Sequence, residues 1–427
     1  MANALSVSMA DWAIACHLDY GDSSALAVVR RQGGEIVATS APVANAGGGD
    51  INHRVAFLGV DDRGRPLLHD PVSKETAVAD AMPADARFAY AYRDPGSVRV
   101  WFMNDGDKNG NDTLCCDEGG SSVTIVSKDN GGAVFVETLC VGRGHHVTAF
   151  SHPTDSAFGI PHRAFVSNLV DGTISVVGND PNDAVSFLKV IATVNLCDSR
   201  FETDSDVSIP NNAFPHGMVF SPVTGKLYNL NNGYHTVAVI DPFSHEVEKT
   251  MPMEVSSNLL LSPCGRFLIG KGADRKRDPE HVIGRLCVLD VVKGEVVHSL
   301  DLPDLYPSVY RFGTAGDKLY VTSAATGKNA QRENLRTDVL QIYDAARLPE
   351  LVLLKEVELD AVDCGRRPIA FLNHEEGGLV FVPNSTRGTL AVLDGQHDDV
   401  LATVTVGESG IQEFSFSFWS DQRLSGA

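Results

Sequence analysis

Residues 214–253 read FPHGMVFSPVTGKLYNLNNGYHTVAVIDPFSHEVEKTMPM. Four short runs stand out: GMVFSP, KLYNLN, TVAVID and EVEKTMPM. Each is alternating or β-branched, and Pro, Gly, Asn and Asp clusters separate them, so the runs read as strands and the breaks as turns. The same grammar returns at 258 as NLLLSPCGRFLIGKG, RLCVLD and EVVHSLDL. It returns at 309 as VYRFGTAGDKLYVTSA, DVLQIYD and LLKEVEL, and at 369 as IAFLNHEEGGLVFVPN, GTLAVLD and VLATVTV. The third runs end at Asp241, Asp290, Asp344 and Asp394, spaced 49, 54 and 50 residues apart. A four-strand unit at that period is a propeller blade.

Working outward, three looser units complete the chain. One holds HHVTAFSHP, HRAFVSN, GTISVVGND and AVSFLKVIATV; another holds VRVWFMND, SSVTIVSK and AVFVETLCV. The N-terminal unit has WAIACHLDY, SALAVV and EIVATSAPV but lacks a first strand, while the C-terminus has a spare one, EFSFSFW. Pairing the two closes the ring and removes the exposed sheet edges. The second strands end near His17, Asn104, Asn168, Asn231, Lys271, Ser323 and Asn384, one per unit. The expectation is an all-β chain, a single domain over residues 1–427, folded as a seven-bladed β-propeller closed by the C-terminal strand. Residues 60–86 fit no unit and read as an insertion in the second; the alternative makes 53–86 a blade of its own and the ring eight-bladed. A Gly/Asp/Asn-rich loop spans 104–121.

The stretches LYNLNNGYHTVAVIDP, FVSNLVDGTISVVGND and LVFVPNSTRGTLAVLDG resemble the YVTN-type seven-bladed propellers. That superfamily includes the propeller domains of nitrous oxide reductase and cytochrome cd1. The resemblance covers most of the chain and implies a fold rather than an activity. No CxxCH is present, so no covalently attached c-type haem is expected.

Composition narrows the partners. The 427 residues are 43% apolar and 21% charged, with 35 basic and 55 acidic side chains and a net charge of −20. Such a surface repels phosphate backbones, so no nucleic-acid partner is expected. The N-terminal MANALSVSMADWAIACHLDYGD has no basic region followed by an apolar core, and no later stretch is long enough for a membrane span. The expectation is a cytoplasmic protein with no membrane partner. Eight cysteines without a CxxC pair read as reduced, mostly buried thiols.

Candidate chemistry centres on histidine. In a propeller, the start of each innermost strand and the end of each second strand converge on one face beside the axis. Three consecutive units open their innermost strand with histidine: Asn52-His53-Arg54, Gly144-His145-His146 and Pro215-His216-Gly217. His17 ends a second strand where three sister units carry Asn. Imidazoles suit Fe, Cu, Zn and Ni, and three or four with an open position form a catalytic type of site. The expected metal ligands are therefore His17, His53, His145 or His146, and His216; the alternative is that these histidines cap strands. His162, His152 and His235 are more distant candidates that read as structural. Iron or copper is favoured and zinc is the third choice. The leading function is a metal-dependent oxidoreductase acting on a small molecule, against a non-catalytic binding propeller or a zinc-dependent lyase or hydrolase.

Other groups lie on the same face. Glu413 starts the closing strand and is a candidate base. Arg143, Arg366 and Arg367 stand at strand starts, and Lys271–Arg277 is a basic loop on an acidic protein. Together they would clamp an anionic substrate. Asp105, Asp107 and Asn109 with Gly110 match the first half of a calcium loop, but the twelfth position is Cys116 rather than Glu, so a plain polar turn is the alternative. Cys115 and Cys116 could guard a metal or be free thiols.

Overall fold

The computed structural model describes residues 12–418 except 21–23, 44–49, 53–54, 61–65, 70–75, 79–87, 95–96, 98, 106–115, 117–119, 129–133, 145, 152–157, 203–208, 255–256, 275–279, 325–333, 364–365 and 373–377. Its strands form eight four-stranded antiparallel sheets, numbered here from the N-terminus and given from the innermost strand outward. Blade 1 joins Glu413–Phe418 to Ala13–Asp19, Ser24–Gln32 and Glu35–Val43, and blade 2 is Asp50–Asn52, Val55–Val60, Pro66–His69 and Thr76–Val78. Blade 3 is Phe88–Arg93, Val100–Asn104, Ser122–Lys128 and Val134–Cys140, and blade 4 is Thr148–Ser151, Arg163–Asn168, Thr173–Gly178 and Val190–Asn195. Blade 5 is Pro215–Ser221, Lys226–Asn231, Thr236–Ile240 and Val247–Pro252, and blade 6 is Asn258–Leu261, Phe267–Asp274, Ile283–Asp290 and Glu295–Pro303. Blade 7 is Pro307–Phe312, Lys318–Ser323, Val339–Asp344 and Val352–Glu358, and blade 8 is Ala370–Leu372, Leu379–Asn384, Thr389–Asp394 and Val400–Thr405.

The protein is thus an all-β propeller, and the C-terminal strand closes it by pairing with the N-terminal blade, His17 opposite Ser415 and Asp19 opposite Glu413. Seven of the sheets are the seven units of the repeat. Blade 2 is the eighth: its innermost strand neighbours those of blades 1 and 3. The insertion expected at 60–86 is corrected accordingly, because Pro66–His69 and Thr76–Val78 pair as blade strands. The true innermost strand of blade 3 is Phe88–Arg93. Blade 2 was hard to see because its strands are only three to six residues long, although Asp70 follows its third strand in the sequence as Asp241 follows that of blade 5.

Stability comes from apolar layers between neighbouring blades. Trp12, Ile14 and Leu18 of blade 1 pack on Phe381 and Val392 of blade 8, with Trp12 edge-on to Phe381. Ile269 and Val288 of blade 6 meet Tyr310 and Leu319 of blade 7. Fully burying side chains of this size stabilises by about 1.5–3 kcal/mol each. The repeated aspartates close the outer hairpins. Asp241 accepts from the amides of Phe243 and Ser244, Asp290 from Val292 and Lys293, Asp344 from Ala346, and Asp394 from Gln396 and His397. A short carboxylate that mimics a turn carbonyl explains why Asp recurs there. Burial opposes the Asp241 charge, but Lys226 and the turn amides hold its pKa down to about 2.

Candidate functional site

Five of the seven aligned positions, Asn104, Asn168, Asn231, Ser323 and Asn384, are the last residues of their second strands. Two of these asparagines use their amides to tie neighbouring segments. Asn168 donates to Thr173 and Ser175, and Asn384 donates to the carbonyls of Asp360 and Ala361. His17 takes the corresponding place in blade 1, two residues before its strand ends.

Two of the strand-start histidines are described in full, and they sit on adjacent blades. His146 stands two residues before the blade 4 innermost strand and is fully buried. Its Nδ1 donates to the carbonyl of Ser167 at 2.8 Å. His216 is the second residue of the blade 5 innermost strand, and its Nδ1 donates to the carbonyl of Ser257 at 2.6 Å. A carbonyl can only accept, so in each neutral ring the proton sits on Nδ1 and the lone pair on Nε2. Each histidine has a glycine beside it in a left-handed conformation. Gly144 (φ 100°) lies against Val170, where a Cβ would come within 2.6 Å of a methyl. Gly217 (φ 120°) lies against Asn258 of the next blade, where a Cβ would come within 2.9 Å of backbone. These glycines bring the histidine-bearing turns hard against the neighbouring loops, a signal the sequence reading passed over.

The remaining candidates divide. His53, His145, His152, Asp107, Asn109 and Cys115 lie outside the described residues, as do the side chains of His17 and Glu413. In sequence, His53 follows the innermost strand of blade 2 rather than opening it, so the premise that placed it beside the axis does not hold. Among the described residues no group of three or more His, Cys, Asp or Glu is close enough to hold a metal. Cys116 is corrected: it forms a disulfide with Cys140, with Cα atoms 5.4 Å apart, and so is neither a free thiol nor a ligand. Cys16 and Cys287 are buried free thiols, as expected. His162 lies at the opposite face, buried between blades 3 and 4 beside Asp94, Arg99 and Asn179.

The cationic candidates also separate. Arg143 forks onto Asp171, Nε to Oδ1 at 2.7 Å and main-chain N to Oδ2 at 2.8 Å, which fixes the approach to the blade 4 strand. Arg367 is buried and donates to the carbonyls of Pro383, Thr337 and Asp360. A cleft of about 340 Å³ beside it is lined by blades 7 and 8 and the Arg367 segment, away from the histidines. Lys271 remains. Its residue keeps some surface, but its ammonium end is enclosed, donating to the carbonyl of Ser308 and sitting 5.6 Å from the centre of the Tyr310 ring. Burial, with Arg366 and Arg311 nearby, pulls its pKa down to about 7.

No protein-family model matches the sequence, and no curated protein does. Solved structures do resemble it. The periplasmic gluconolactonase PpgL of Pseudomonas aeruginosa superposes with a TM-score of 0.55 at 16% identity, over 95% of this chain and 99% of that one. AztD from Citrobacter koseri, in its apo form, gives 0.54 at 12% identity, over 96% and 98%. Hydrazine synthase of Kuenenia stuttgartiensis gives 0.52 at 15% identity, over 78% and 90%. At these identities the likeness establishes the class, a β-propeller, and carries no residue across.

Proposed function

We propose that the protein is a metal-dependent propeller enzyme. Its metal lies at the top of the axis and is held through imidazole Nε2 atoms from His216 and His146, with His17 and His145 as the further candidates. The observation that supports this is the shared anchoring of His146 and His216. Each gives its Nδ1 proton to a main-chain carbonyl, which sets the ring orientation and the tautomer that a metal requires. All-nitrogen ligation with an open position favours iron or copper and oxidoreductase chemistry on a small molecule. The likeness in fold to hydrazine synthase and to a gluconolactonase agrees with an enzyme.

The test is elemental analysis of untagged protein, wild type and His146→Ala with His216→Ala. About one iron or copper per chain, lost in the variant, is expected for a ligand set of this kind. Stoichiometric zinc lost the same way keeps the site but overturns the redox reading in favour of hydrolysis or elimination. No metal after reconstitution overturns the proposal and leaves a binding propeller.

The proposed compartment departs from the cytoplasmic expectation. No helix among the described residues is long and apolar enough to cross a membrane. The Cys116–Cys140 disulfide favours an oxidising compartment, where such bonds persist. Peptide mapping of non-reduced protein isolated from its native cells tests this: a linked 116–140 peptide is expected, and free thiols at both positions would overturn it.

A further inference from the structure

We infer that the cleft between blades 7 and 8 is a binding site for a small uncharged polyol, a molecule of monosaccharide size. The cleft encloses about 340 Å³, within the range of roughly 300–1,000 Å³ that small-ligand pockets occupy. One wall belongs to blade 8. There Val382 pairs with Ala391, Asn384 with Thr389, and Ala391 with Thr403, so these side chains share the sheet face that looks at blade 7.

The repeat explains why a cleft opens in this seam. The residue three places before the third-strand aspartate is Ala238 in blade 5, Cys287 in blade 6, Gln341 in blade 7 and Ala391 in blade 8. Its partners on the fourth strand are Thr250, Ser299, Glu356 and Thr403. In blades 5 to 7 this position is closed over. Arg200, from the loop entering blade 5, reaches across and donates to the Thr250 hydroxyl at 2.7 Å. In blade 6 the larger Cys287 fills the place itself, its Sγ 3.7 Å from the Glu254 carbonyl and 3.6 Å from Ser299 Oγ. In blade 7 the Glu356 carboxylate accepts from Gln341 Nε2 at 3.1 Å and from Arg336 Nη2 at 2.5 Å. Blade 8 repeats the small Ala–Thr pair of blade 5, but Arg367, which its entering loop supplies, turns inward to the carbonyls of Pro383, Thr337 and Asp360. Thr403 is accordingly exposed where Thr250 is half-buried.

The groups left over define the ligand. Arg367 has its guanidinium on main-chain carbonyls, and the Asp360 carboxylate pairs with Arg387 at 2.9 Å. Both charges of this wall are therefore engaged within the protein. The hydroxyls of Thr389 and Thr403 make no hydrogen bond among the described residues, and each can donate and accept. Val382, Ala391 and Val400 line the same cleft with aliphatic surface. Hydroxyls set in an aliphatic wall match a molecule that carries several hydroxyls and a CH face. A charged ligand would lose hydration without gaining a counter-ion, and a purely apolar one would leave the threonine hydroxyls unanswered. The site is separate from the histidines and stands without the metal.

The test is saturation-transfer NMR followed by calorimetric titration of chelator-stripped protein. The probes are D-glucose, D-galactose, D-mannose and myo-inositol, with cyclohexanol as the apolar comparison. Wild type, Ala391→Leu, Thr403→Val and the surface control Lys293→Ala are compared. Saturable binding of at least one polyol is expected at one site per chain, with a Kd of the order of millimolar. Ala391→Leu fills the cleft and should abolish binding. Thr403→Val keeps the shape, removes one hydroxyl and should weaken binding about three- to tenfold. Lys293→Ala should leave it unchanged. Binding of none of the polyols, tighter binding of cyclohexanol, or an affinity that Thr403→Val leaves unchanged overturns the inference, as does binding that survives in Ala391→Leu. Should circular dichroism show Ala391→Leu unfolded, Thr403→Val decides alone. Because the metal is removed beforehand, failure of the metal proposal does not affect the outcome.

Discussion

Two regions of the ring enclose charge in opposite ways. Between blades 3 and 4, Asp94 is wholly enclosed yet fully answered. Arg99 Nη2 donates to it at 3.2 Å, Asn179 at 2.9 Å and Ser97 at 2.6 Å, and His162 Nε2 lies 3.3 Å away. Arg99 also donates to the Asn179 carbonyl at 2.8 Å. This cluster ties two blades at the lower face, with Asp94 as its centre. At the seam of blades 6 and 7 the Lys271 ammonium is enclosed on the Ser308 carbonyl and the Tyr310 ring, and burial pulls its pKa down to about 7. A carboxylate partner holds a buried cation charged, whereas a carbonyl and a ring leave burial to favour the neutral amine.

The largest effect that would test the contrast is Asp94→Ala. It strands Arg99 and His162 in the blade 3–4 seam and should destabilise by about 3–5 kcal/mol in urea denaturation. A loss below about 1 kcal/mol would mean that the cluster is not a staple.

Next comes the pH dependence contributed by Lys271. Its folded pKa of about 7 lies below the ordinary 10.5. Between those values the unfolded chain binds the extra proton, so folding stability rises with pH through that window. The gain from pH 7 to pH 9 attributable to this group is about 2 kcal/mol. Lys271→Met should be more stable than wild type at pH 7 and should lack that rise. A variant with an unchanged slope would show that Lys271 is not electrostatically strained.

A smaller effect is expected at the outer hairpins. Asp241→Ala frees two turn amides and Lys226 at a partly exposed site, and should cost about 1 kcal/mol by thermal denaturation. The smallest is expected at Arg200, whose pairing with Asp198 is largely exposed on the arginine side. Arg200→Ala should change stability by less than about 0.5 kcal/mol. If the last two effects were reversed in size, burial would not be what ranks these sites.

Much of the architecture was legible because blade strands are local and periodic. The Asp-terminated third strands of blades 5 to 8 mark hairpin turns that each blade forms with its own residues, so counting them needed no long-range information. The closing pair was legible too, since an N-terminal unit without a first strand and a spare C-terminal strand have only each other. Blade 2 was not, because strands of three residues carry too little alternation to separate from a loop. The candidate site was half legible. His146 and His216 stand where the repeat put them, but nothing local says that Arg143 meets Asp171, that Arg367 turns inward to three carbonyls, or that Cys116 finds Cys140.

The chain alone determined the sheet class, the closure and the strand ends on which the histidines stand, because hydrogen-bonded hairpins read out residue by residue. Only the tertiary structure decided which groups answer each cation. That depends on contacts between blades, such as Arg367 with Thr337 and Lys271 with Ser308, whose partners lie 30 and 37 residues apart in sequence. Electrostatic strain is a property of neighbours in space, and the repeat that sets each blade carries no record of what the next blade brings to the seam.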